Sequence, residues 1–180
     1  MTRAQATSID FSIPAMKKWE KLPEEVRAEV IDGKLYILTV PTPYHSKAVT
    51  SIVIQLGRYV LENKLGDFYC SSVGIFLVEG KNVVIPDLVF VSKNNSAIID
   101  EKGVHGAPDL VIEVLSPSTS KRDITLKKSL YEKTGVREYW IVDPDTKDAW
   151  GYLLENNSYN QPLTLNSKLH IRILNKRIKF

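Results

Sequence analysis

The stretch PDLVIEVLSPST, residues 108–119, sets Glu113 among Leu110, Val111, Ile112, Val114 and Leu115. Such a run reads as a β-strand covered on both faces, the kind found in sheets with helices packed against them. An ionised carboxylate in that place costs on the order of several kcal/mol unless something compensates its charge. Whatever compensates Glu113 therefore bears on the fold and on the function together.

Working outward, a helix is expected from about 121 to 134, closed by Gly135. The segment VREYWIVDPDTK then gives a strand ending in an Asp-Pro-Asp turn. Upstream, strands are expected at roughly 68–78, 83–91 and 109–115. Before them a helix starts with Thr42 as N-cap and Pro43 at its first position. Val49, Ile52, Leu56, Tyr59 and Val60 recur on one face of it, and Gly66 is the expected stop. The resulting order, α-β-β-β-α-β, predicts an α/β fold with a mixed sheet. A short helix at 14–26 and a hairpin in AEVIDGKLYIL, turning at Asp32-Gly33, precede this core of about 42–145. Short hairpins follow it, over 146–180, with Asn156-Asn157 as a turn. One domain spanning all 180 residues is the simplest reading.

Composition narrows the function less than the pattern does. A net charge of +3 permits a nucleic-acid partner without arguing for one. The single cysteine, Cys70, excludes an internal disulfide and a cysteine-based zinc cage, and is expected in the core. The N-terminus lacks the apolar stretch of a signal peptide, and no run reaches the roughly 18 apolar residues of a membrane span. A soluble, cytoplasmic protein without a membrane partner is expected, ordered except for the first dozen residues.

PDLV occurs twice, at 86–89 and 108–111, and the copies differ. Asp87 follows NVVI and precedes LVFV, so it lies inside an apolar run as Glu113 does. Asp109 opens its strand, where a strand-end role suffices. Asp109 is also about 13 Å from Glu113 along the strand, whereas a neighbouring strand is only about 5 Å away. Asp87 and Glu113 on adjacent strands would repel unless one protonates or a cation lies between them. Oxygen ligands of this kind suit Mg²⁺ or Mn²⁺. The alternative is that each acid pairs with a buried Arg or Lys, or meets water at a strand end.

Ser120-Lys121-Arg122-Asp123 has the form of a capping box. On a helical wheel, Ile124, Leu126, Leu130 and Tyr131 mark the apolar face, and Asp123 and Lys127 fall in the middle of it. An i, i+4 pair between those two accounts for their attraction but not for their inward aim. A lysine directed at the sheet, toward buried carboxylates, accounts for both.

A Pro-Asp on one strand and a Glu on the next resemble the PD-(D/E)xK nuclease superfamily, the restriction-endonuclease-like fold. The ordered series EVIDGKL, PTPYH, IPDLVFV and APDLVIEVLSPSTSKRDITLKKSLYEKTGVREYWIVDP resembles more closely the Uma2 family of putative restriction endonucleases, over about 24–145. That resemblance implies a divalent ion held by Asp87 and Glu113, to which the nuclease reading adds the carbonyl of Val114. The superfamily lysine stands two residues after the acid, a position occupied here by Leu115. The resemblance places it instead at Lys127, with Asp123 and Tyr131 one turn to either side. It also marks Glu29 and His45, in EVIDG and PTPYH, as active-site candidates. For Glu29 the alternative is an exposed hairpin residue, and for His45 a satisfied core or capping residue.

Three functions are compatible with these residues. The first is a Mg²⁺- or Mn²⁺-dependent endonuclease acting on DNA. The second is a binding module of the same fold that does not cut. The third treats the acids as ion-paired core residues of an assembly protein. The basic C-terminal residues Lys168, Arg172, Lys176, Arg177 and Lys179 either touch phosphates or protect a sheet edge. A homodimer is an expectation from the resemblance alone.

Overall fold

The computed structural model describes residues 14–180 apart from positions 24, 71–72, 79–80 and 118. The first dozen residues lie outside that range. The predicted first helix is shorter than expected, Ala15–Trp19.

Ala28–Ile31 (β1) and Lys34–Ile37 (β2) form the predicted hairpin. Its turn residues Asp32 and Gly33 both take positive φ, 47° and 74°, as a two-residue turn between twisted strands requires. The next helix spans residues 43–62. The Thr42 hydroxyl accepts the His45 N–H at 3.2 Å, which fixes the start and, with it, the aim of His45. Val53–Gly57 is a π-turn within this helix. The chain leaves the helix through Asn63 and Lys64, and Gly66 opens a strand instead of capping. A Cβ at Gly66 would meet the Val91 carbonyl at 2.1 Å, so the close strand approach requires glycine there.

The strands that follow are Gly66–Cys70 (β3), Ile75–Leu77 (β4), Asn82–Val84 (β5), Leu88–Ser92 (β6), Ile99–Asp100 (β7), Gly103–His105 (β8) and Leu110–Val114 (β9). A helix over residues 120–134 leads to Glu138–Val142 (β10), and Gly135 ends that helix in the left-handed conformation as predicted. Asp148–Glu155 (β11), Ser158–Tyr159 (β12), Leu163–Asn166 (β13), Lys168–Ile171 (β14) and Lys176–Lys179 (β15) complete the chain. Asn156 and Asn157 form the expected turn, both at positive φ.

The main sheet has the order β12-β11-β10-β9-β6-β3, with β13 also on β11. β9 and β10 are parallel, joined by the 120–134 helix, and β6 runs antiparallel to β9. The second sheet, β2-β1-β5-β4-β8-β7, is built from the N-terminal hairpin and from pieces of the core segments. Here the structure corrects the sequence reading. Each of the expected strands 68–78 and 83–91 is two strands in two different sheets. The second one breaks at Ile85-Pro86-Asp87, where Pro86 offers no N–H to a ladder. Asp87 therefore stands at a strand switch, not inside a buried strand, and its side chain keeps 17% of its exposure.

Alternation along the main sheet separates two cores. Leu88, Phe90, Leu110, Ile112, Val114, Trp140 and Val142 face the 43–62 helix and the β14–β15 hairpin. Val89, Val91, Val111, Tyr139 and Ile141 face the second sheet and the 120–134 helix. Glu113 lies on this second face by the same alternation. Cys70, expected in the core, is exposed at the end of β3.

Two further buried acids hold the frame together. Asp109 accepts the Ser92 N–H at 2.8 Å and pairs with Arg137 at 2.9 Å, the strand-end role read from sequence. Glu138 accepts the Trp140 indole N–H at 2.8 Å and the backbone N–H groups of Arg172 and Ile173 at 2.9 Å. It anchors the C-terminal hairpin to the sheet. Glu138→Ala strands three donors, and each unsatisfied buried donor costs about 1–3 kcal/mol. Urea unfolding of that variant should show a loss of about 3 kcal/mol or more; a loss below about 1 kcal/mol would mean that the hairpin is held by its apolar side chains alone.

Candidate active site

Glu113 sits in mid-strand on β9 and is buried. Its Oε1 accepts from Lys127 Nζ at 2.8 Å and from the Tyr131 hydroxyl at 2.9 Å. Lys127 has 2% of its surface exposed, and it also contacts Glu29 Oε1 at 2.8 Å and Asp123 Oδ1 at 3.4 Å. One ammonium thus answers three buried carboxylates.

The 120–134 helix achieves this through a π-turn, Asp123–Lys127. The wider turn changes the phase of the helix relative to a regular wheel. Asp123 and Lys127 both point inward as expected, but Ile124 and Leu126 are 46% and 38% exposed, against the predicted apolar face. The capping box does not form: Thr119 and not Ser120 occupies the N-cap position, no side chain caps the helix, and Asp123 is buried.

Asp87 lies one step beyond the Leu88–Ile112 pair, opposite Glu113 in the continued register. The strand switch frees it from the ladder, and its Oδ2 instead takes the Val114 N–H at 2.9 Å and His45 Nε2 at 3.0 Å. Within a strand a residue's N–H and C=O leave on the same edge, so the Val114 carbonyl also faces Asp87. Glu29, on β1 of the second sheet, is 0% exposed, and its Oε1 accepts the Ile85 N–H at 2.9 Å. The reading of Glu29 as an exposed hairpin residue is excluded.

Three carboxylates therefore contact one lysine, and Asp87 acts on Glu113 from beside them. Burial pushes the Glu113 carboxyl well above its usual range; Lys127 opposes this, while Asp123, Asp87 and Glu29 add to it. Asp123 is raised as well, by burial first. Burial alone would lower the Lys127 ammonium, but Glu113, Glu29 and Asp123 outweigh it and hold it well above the usual lysine value. Glu29 Oε2 is buried without a hydrogen-bond partner. Acids outnumber cations here, and the surplus is partly unsatisfied.

A cleft of about 60 Å³ opens onto this group, lined by His45, Asp87, Glu113, Val114 and Lys127 together with Arg27. Among the described residues, no three His, Cys, Asp or Glu side chains form a metal-binding group. The oxygen donors that line the cleft together are the Asp87 and Glu113 carboxylates and the backbone of Val114. They are hard oxygen donors around excess negative charge, a set that fits Mg²⁺ or Mn²⁺.

The family model described as putative restriction endonuclease, Uma2, matches residues 14–175. The chain belongs to the Uma2 family. A crystal structure of a putative nuclease belonging to DUF820 from Anabaena variabilis has the same fold. It aligns with a TM-score of 0.73 at 20% identity, covering 89% of this chain and 90% of that one. No curated protein matches. The resemblance seen in the motifs is thus that of a Uma2 protein over most of its length, and nuclease-like function follows at the level of the family. Leu115 packs against the second core. The cationic group at the buried acid of this Uma2 chain is Lys127.

The structure brings Asp87, Glu113, Val114, Lys127, Glu29 and His45 into one group. Several polar cleft residues were not singled out from the sequence, among them Arg27 and Thr119. Arg27 shares a face of β1 with Glu29, a period-two relation that was available to be read. Thr119 lies at the start of the 120–134 helix, 3.0 Å from the Ser116 hydroxyl, and carried no signal. The basic C-terminal residues lie on or beside the β14–β15 hairpin, which packs on the opposite face of the main sheet from Glu113.

Removing Lys127 leaves buried carboxylates uncompensated, and breaking a buried pair in that way costs about 3–5 kcal/mol. Lys127→Met should therefore unfold more easily at neutral pH despite its apolar fit. Glu113 and Asp123 have raised folded-state values. Stability linked to them is present below the usual carboxylate range and is lost as pH rises through those values. The variant should accordingly recover stability as pH falls from 7 toward 5. A Met variant as stable as wild type at pH 7, or one that weakens on acidification over this window, contradicts the charge balance.

Proposed function

We propose that this chain is a divalent-metal-dependent endonuclease that hydrolyses phosphodiester bonds in DNA. The observation that carries the reading is the pairing of Asp87 with Glu113 across a strand switch, in an open cleft where carboxylates outnumber cations. Asp87, Glu113 and the Val114 carbonyl would hold Mg²⁺ or Mn²⁺. When bound, that ion supplies Lewis-acid polarisation of the phosphoryl group and an acidified water.

The remaining residues have roles set by their contacts. Tyr131 fixes the Glu113 carboxylate from one side and Lys127 from the other. His45 holds Asp87 Oδ2, with its own backbone tied down by the Thr42 cap. Lys127, held well above the usual lysine value, stays charged at neutral pH. It therefore acts as a fixed positive charge facing the phosphate, not as a base. Glu29 and Asp123 keep that charge in place.

A non-cutting module of the same fold is the second reading, favoured by the engagement of Lys127 with three carboxylates. One experiment separates the two. Purified protein is incubated with plasmid DNA and Mg²⁺ or Mn²⁺, with EDTA as control. The endonuclease reading predicts nicking that EDTA abolishes and that Asp87→Asn reduces by roughly 10²-fold or more, the scale of losing one transition-state contact. The Asn variant should also lose the thermal stabilisation that divalent ion gives the wild type. DNA left intact by a wild-type protein that shows this stabilisation assigns the site to binding without cleavage.

A further inference from the structure

Arg27 is the cleft residue whose charge the cluster does not use. It directly precedes β1, and its carbonyl accepts the Leu38 N–H at 2.9 Å, so it continues the hairpin ladder. Strand alternation sets it on the same face as Glu29, about 7 Å further out toward solvent. It lines the cleft with His45, Asp87, Glu113 and Lys127.

The other cations near the cleft are engaged. Lys127 is consumed by Glu29, Glu113 and Asp123. The Arg122 guanidinium lies 4.8 Å from the Tyr36 ring centre, and although its Nε also lacks a hydrogen-bond partner, Arg122 does not line the cleft. Arg27 forms no ion pair among the described residues, and its Nε is buried without a hydrogen-bond partner. A planar, permanently charged fork lining the same cleft as the Asp87 and Glu113 carboxylates matches the non-bridging oxygens of a phosphodiester, which accept two parallel N–H bonds.

We propose that Arg27 grips a backbone phosphate of the nucleic-acid substrate at the cleft mouth, seating the strand over the Asp87–Glu113 floor. This rests on the nuclease reading above. Its charge supplies affinity through one neutralised phosphate, and its fixed geometry supplies placement. The metal is held by other residues, so metal binding and phosphate binding separate experimentally.

The test uses the full chain and a fluorescein-labelled DNA duplex, with Ca²⁺ in place of Mg²⁺, and reads anisotropy over a range of salt concentrations. Arg27→Gln should weaken binding roughly tenfold or more, the loss of one charge-assisted contact. It should also lower the slope of log affinity against log salt by about 0.9. Arg27→Lys should keep the slope, because the charge remains, yet bind more weakly than wild type because the fork is gone. Both variants should keep the full thermal shift with Mg²⁺. Wild-type affinity and slope in Arg27→Gln overturn the assignment while leaving the nuclease reading intact. Loss of the Mg²⁺ shift in both variants makes Arg27 a support of the metal floor instead. A wild-type chain that binds no DNA at any salt concentration removes the nuclease reading, and this proposal with it.

Discussion

The Lys127 ammonium, shared among Glu113, Glu29 and Asp123, is the contact on which the rest of the arrangement depends. It ties together three elements that are distant in sequence: β9 of the main sheet, β1 of the second sheet and the helix that crosses from β9 to β10. Burying that many charges is expensive, and apolar replacements of such clusters are often no less stable. A fold has little reason to keep the arrangement for stability alone. Glu113 and Lys127 line a cleft together with Asp87, and the neighbouring acids outnumber the one lysine.

Two local irregularities make the cluster possible. Pro86 interrupts the strand before β6, which hands the chain from one sheet to the other and leaves Asp87 outside any ladder, facing Glu113. The π-turn at Asp123–Lys127 keeps an acid and a lysine one turn apart facing the sheet while turning Ile124 and Leu126 outward. Departures from regular structure of this kind concentrate at functional sites, because they aim side chains that regular elements would direct elsewhere. Around them the apolar faces of the main sheet are ordinary, and they supply the rigidity.

The parts legible in the sequence were those with a local signature. The Asp32-Gly33 turn, the Thr42 cap, the Gly135 stop and the buried run around Glu113 all came from short-range chemistry. Lys127 was found because a cation on an apolar arc conflicts with its surroundings. What failed had non-local causes. Residues 83–91 read as one strand because periodicity cannot show a change of sheet, although Pro86 was a warning. Ile124 and Leu126 were put on the buried face by a wheel that assumes regular turns. Glu29 gave no sign of full burial, since the second sheet that covers it is assembled from segments far apart in sequence. Cys70 was placed in the core by residue type, whereas the strand end on which it stands is exposed.

The cluster carries more carboxylates than Lys127 balances, and we propose that it takes up one divalent cation in compensation. Calorimetric titration of the protein with Mn²⁺, repeated in buffers of different ionisation enthalpy, measures the ion and the accompanying protons together. One ion bound per chain is expected, with net proton release that shrinks as pH rises through the raised Glu113 value. Absence of binding, or binding with proton uptake, would contradict it.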